Sequence, residues 1–118
     1  MRKLVAAALT IISSTISSQV LAQSRFIDVG NKGQVVLLDR NSIRGTRFNL
    51  VKQEADGGYT IQLLQVNCQR NLFIMIKVNE YDRNDNLVFT TNTEPTEPYS
   101  FPADSPVGRS AAIVCNNR

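Results

Sequence analysis

The chain has 118 residues, 42% of them apolar, with 13 Lys and Arg against 10 Asp and Glu, a formal net charge of +3, two cysteines and no histidine. This length suits one domain. Without histidine any Ser–His or Cys–His nucleophile is excluded, the two cysteines are better explained by one disulfide than by a four-ligand zinc site, and without a basic run a nucleic-acid-binding surface is not expected.

The first segment has the three parts of a secretory signal peptide. Arg2 and Lys3 give a positive start, Leu4 to Ile12 form an apolar run, and Val20-Leu21-Ala22 offer a peptidase site. Ser13, Ser14, Thr15, Ser17, Ser18 and Gln19 interrupt the stretch, which argues against an uncleaved spanning helix of about 20 apolar residues. Residues 1–22 therefore read as a cleaved signal. Removing 22 of 118 residues leaves 96, from Gln23 to Arg118. Without Arg2 and Lys3, 11 basic side chains face 10 acidic ones, a net charge of about +1. The residue directly after Ala22 is Gln23, not cysteine, so a bacterial lipid anchor has no acceptor there.

Ser24 to Val29 can form a short first strand, and Gly30-Asn31-Lys32-Gly33 a turn. Gln34 to Asp39 is an aliphatic, β-branched run that predicts a strand covered on both faces, ended by Arg40-Asn41-Ser42. In the next run Phe48 and Leu50 share one face, Arg47 and Asn49 the other, which suits a strand with one wet side. Asp56-Gly57 is a hairpin signal, because glycine supplies the positive φ of such turns.

The pair of runs from Tyr59 to Asp82 is the centre of the chain. Tyr59, Ile61 and Leu63 alternate with Leu64, Val66 and Cys68, and Asn67 to Asn71 make a tight connection. The next strand is expected to place Leu72, Ile74, Ile76 and Val78 on one face and Phe73 and Met75 on the other. Tyr81 to Asn86 form a turn, Leu87 to Thr91 return, and Asn92 to Pro102, with three of the four prolines, form a loop or edge segment. Ser105-Pro106 reads as an N-cap followed by proline at the first helical position, opening a helix of about two turns over Val107 to Val114.

Two cysteines in an exported chain predict one disulfide, Cys68–Cys115. Closing a loop of about 47 residues stabilises by about 4 kcal/mol in the chain-entropy estimate. That is a large share of the roughly 5–15 kcal/mol typical of a domain.

Sites of chemistry are few. Asp82, Asn84 and Asn86 match the first, third and fifth positions of a calcium loop, but Leu87 and Thr93 stand where such a loop needs glycine and a bidentate glutamate. Glu94 and Glu97 could be imagined as a glycosidase carboxylate pair, but in this Pro-rich stretch they read as solvated side chains. Tyr59, Tyr81, Tyr99 and Phe101 could form a binding surface, with Tyr99 and Phe101 the expected exposed pair for partner contact.

LLDRNSI at residues 37–43, VNC at 66–68, EYDRNDNLV at 80–88, FPADSPVG at 101–108 and AAIVC at 111–115 together resemble, in that order, the surface-adhesin protein E family of exported bacterial proteins. The resemblance implies an antiparallel sheet with a C-terminal helical segment tied to it through Cys68 and Cys115. It also implies periplasmic or surface residence, a protein partner such as a host matrix or serum protein, and an open option of homodimerisation.

The fold expected is mainly β (α+β), a single antiparallel sheet of about five to six strands with a short C-terminal helix held by the disulfide. The function expected is an exported, non-catalytic binding domain in periplasm, cell surface or medium, with no cofactor, no metal, no nucleic acid and no membrane span after cleavage. The alternatives are an envelope accessory protein without a host ligand and a small carboxylate hydrolase.

Overall fold

The computed structural model describes residues 24–92 and 97–116. The expected signal at 1–22 and Glu94 lie outside them. Strands β1 (Phe26–Asp28), β2 (Val36–Arg44), β3 (Arg47–Gln53), β4 (Tyr59–Asn67), β5 (Leu72–Tyr81) and β6 (Leu87–Asn92) follow one another across one antiparallel sheet in chain order. A two-residue strand, β7 (Tyr99–Ser100), pairs with β5 at Leu72 and Phe73, along the edge where β6 pairs with Lys77 to Tyr81. The C-terminal helix, α1 (Pro106–Asn116), lies against one face. This is the mainly β fold with one short C-terminal helix that the sequence predicts.

Sequence alternation explains which face the helix takes. Phe48 pairs with Leu64 and Leu50 with Gln62 across β3 and β4, and Leu38 lies beside Leu50 from β2. Phe48, Leu38 and Leu64 are fully buried, and together with Leu50, Val36 and Val66 they meet Ala111 and Val114 of α1. Fully burying side chains of this size stabilises by roughly 1.5–3 kcal/mol each.

Two irregularities depart from the simple reading. The strand expected to end at Asp39 continues to Arg44, because Arg40 to Ile43 bulge out opposite Phe48 alone: Asp39 pairs with Asn49, and the next pair is Arg44 with Arg47. Ser42 holds this bulge, its Oγ donating to the Asp39 carbonyl (2.7 Å) and accepting from the Asn49 N–H (2.8 Å). A polar triplet that reads as a break thus stays in the sheet because a side chain replaces the missing ladder bonds.

On β5 the pairing jumps from Lys77–Leu63 to Met75–Leu64, leaving Ile76 as an extra residue. Alternation resets there, so Val78 stands on the helix side with Phe73 and Met75 rather than with Leu72 and Ile74. Perfect two-residue periodicity could not foresee that shift. Nor is β2 covered on both faces: Leu37, between buried Val36 and Leu38, is half-buried on the sheet face away from α1.

Helix α1 begins as expected and runs longer, to Asn116. Ser105 Oγ accepts from the Gly108 N–H (3.0 Å), and Pro106 takes the first helical position. Gly108 is fixed by space, since a Cβ there would sit 2.2 Å from the Pro102 carbonyl oxygen and 2.7 Å from that of Ala103. Arg109 ties the helix to the β1–β2 turn. Its Nε donates to the Val29 carbonyl (3.0 Å), Nη1 to the Asp104 carbonyl (2.9 Å), and Nη2 to Asn31 Oδ1.

Candidate binding surface

Cys68, just past β4, and Cys115, in the last turn of α1, form the disulfide, with an S–S distance of 1.98 Å and Cα atoms 5.8 Å apart. Both sulfur-bearing residues pack against the core. The bond and the Arg109 contacts hold α1 at two points along its length, and that fixes which sheet face is closed.

The opposite face has no element across it among the described residues. Register places Leu37, Val51 and Ile61 side by side there, with Leu63 nearby on β4. All four are half-buried. Around them the face is polar and mutually bonded: Arg47 Nε donates to Gln65 Oε1 (3.0 Å), and Thr90 Oγ1 to Asn79 Oδ1 (2.9 Å). Tyr59 and Tyr81 stack at one end, ring centroids 4.9 Å apart, and the Tyr59 hydroxyl donates to Asp85 Oδ1 (2.9 Å). These two tyrosines are therefore a cross-strand pair on the sheet rim.

The aromatic pair singled out for exposure divides. Tyr99 is 58% exposed, on β7 at the sheet edge. Phe101 is half-buried and packs on the core, its ring 6.2 Å from that of Phe73, which also lies 5.6 Å from Tyr99. Proline on both sides keeps this segment out of the sheet interior, yet the chain turning toward α1 carries Phe101 inward. Sequence reasoning missed the next strand over. Leu87, Val88 and Phe89 of β6 are 55%, 62% and 57% exposed. No local signal marked them: their exposure follows from β6 standing last in the strand order.

The two sheet edges differ chemically. β1 is three residues long, and beside it Arg25 makes a two-pronged bond to the buried Asp39 carboxylate (2.8 Å for each contact) while its guanidinium lies 5.0 Å over the Phe26 ring. Asp39 in turn holds the Arg25 pKa above its ordinary value, chiefly through that hydrogen bond. β6 carries no charge and no proline, and no described strand pairs with its outer side.

The loop matching a calcium site is closed on itself. Asp82 Oδ1 accepts the backbone N–H groups of Asn84 (2.9 Å) and Asn86 (3.0 Å), forming a polar turn at the β5–β6 hairpin. Those bonds, first that from Asn86, hold the Asp82 carboxyl below its usual range. Among the described residues no cluster of three His, Cys, Asp or Glu side chains is placed to hold a metal. Glu97 is exposed.

An open groove of about 250 Å³ runs beside the disulfide, lined by Phe101, Ala103, Gly108 and Ala111 together with Cys68 and Cys115. Asn71 is the one polar side chain in its walls, which hold no acid or base and are otherwise apolar. No described helix is long and apolar enough to cross a membrane. No family model matches the sequence, and searches of curated proteins and of solved structures returned no match.

Proposed function

We propose that this chain is an exported binding domain without catalytic activity, of the kind its resemblance to the surface-adhesin protein E family suggests. It would meet a protein partner through the outer edge of the sheet, with the exposed residues of β6 toward one end and Tyr99 of β7 at the other. One observation carries this reading: Leu87, Val88, Phe89 and Tyr99, all more than half exposed, stand along the same side of β5. Leu87, Val88 and Phe89, three exposed apolar side chains in a row, mark a contact surface on so small a domain. The signal-like segment and the disulfide support residence outside the cytosol.

The test is capture by the oxidised protein, with Tyr99→Ala and Val88→Lys as controls, from cell-envelope extract and from purified matrix and serum proteins. A partner retained by the wild type and lost by Val88→Lys supports the reading. A matrix protein identifies an adhesive role and an envelope protein an accessory one. Turnover of a sugar polymer without any captured partner would overturn it in favour of a carboxylate hydrolase.

A further inference from the structure

The β6 edge also carries information on what it takes. An unpaired strand edge offers a row of N–H and C=O groups to another extended chain, and side-chain chemistry selects which one. β6 itself, LVFTTN, is uncharged. Its surroundings are acidic. Asp82 and Asp85 lie in the turn at its Leu87 end, and Glu97 precedes β7 beyond its Asn92 end. Glu80 pairs directly with Phe89 and so shares its sheet face. Exposed Phe89 beside an exposed carboxylate forms a place for a cation, through ring face and charge together. Lys77, paired with Asn92, lies on the other face, and Arg83 donates from Nη2 to the Asp56 carbonyl (2.9 Å). A second copy of β6 is a poor fit: antiparallel self-pairing would set the acidic turn of one copy against the Glu97 end of the other.

We propose that the β6 edge binds an extended, β-branched peptide segment bearing Lys or Arg, added as the next antiparallel strand with a cation over Phe89 and Glu80. Six residues span about 20 Å, so the contact is short. Its affinity is correspondingly modest and sensitive to salt. The inference rests on the reading of this domain as a binding module.

The test uses a labelled octapeptide of alternating valine and threonine with lysine at each end, and the same peptide with glutamate at each end. Fluorescence anisotropy on the oxidised protein should show the lysine peptide binding at least tenfold more tightly than the glutamate peptide at low salt, with the difference shrinking in 0.5 M NaCl. Glu80→Lys, at an exposed position, should narrow or reverse the preference, and Val88→Lys should abolish binding of the lysine peptide, both variants keeping the wild-type circular dichroism spectrum. Equal affinity for the two peptides, or no binding of either to folded protein, would overturn the proposal. So would sedimentation showing the edge closed by a second copy in a dimer that Val88→Lys dissociates. Capture of a partner that survives Val88→Lys would place binding elsewhere on the domain, so that this inference fails while the binding-module reading stands.

Discussion

The two faces of this sheet are made by the same strands and end in different states. On one, Phe48, Leu50 and Leu64 lie under α1 and reach 0–1% exposure. On the other, Leu37, Val51 and Ile61 stand in an equally regular row and stop at half-burial, since no described element crosses them. Strand alternation only sorts side chains into two sets. Which set becomes the core is decided by the helix, and the helix is placed by Cys68–Cys115, by Arg109 and by the close approach at Gly108.

The largest break in that contrast comes from the covered face. Phe48→Ala should cost about 3–5 kcal/mol by chemical denaturation, because its cavity is walled by both sheet and helix. Replacing both cysteines with serine should lower stability by about 3–4 kcal/mol, read from the shift in urea midpoint. Gly108→Ala should cost about 1–3 kcal/mol, since the added methyl meets backbone carbonyl oxygens that cannot swing aside. On the open face Ile61→Ala should cost about 1 kcal/mol or less, because water already reaches that side chain. A ratio near one between the Phe48 and Ile61 effects would remove the distinction between the faces.

The smallest effect is electrostatic and lies at the hairpin turn. Hydrogen bonds from Asn86 and Asn84 favour the ionised Asp82 carboxylate, whose pKa is lowered from 3.8. A depressed folded pKa contributes stability above the unfolded value, and that contribution is lost as pH falls through the lower folded value. Thermal midpoints followed from pH 7 to pH 2 should therefore fall slightly less steeply below about pH 4 for Asp82→Asn than for the wild type.

Much of this was legible in the residues. Alternation in 47–50 and 59–66 sorted the side chains into the two face sets that the sheet keeps, the Asp56-Gly57 turn and the Ser105-Pro106 start were local chemistry, and two cysteines in an export-like chain allowed one pairing. What was not legible depends on register. The extra Ile76 moves Val78 across the sheet, and the Ser42 bonds keep Arg40–Ile43 within a strand; both arise from cross-strand partners distant in sequence. The candidate surface was half legible. Tyr99 could be placed at the rim from its prolines, but the exposure of Leu87 to Phe89 follows from β6 being last in the strand order, and Phe101 turns inward because of where α1 begins.

Hydrogen–deuterium exchange on oxidised and reduced protein tests most directly whether a covalent link keeps the helix on its face. On reduction, the amides of Arg109 to Cys115 and those beside Phe48 and Leu64 should lose protection, while the β2–β3 pairing at Leu37 and Val51 keeps more of its own. Unchanged protection of the helix after complete reduction would contradict the account, leaving noncovalent packing alone to hold it.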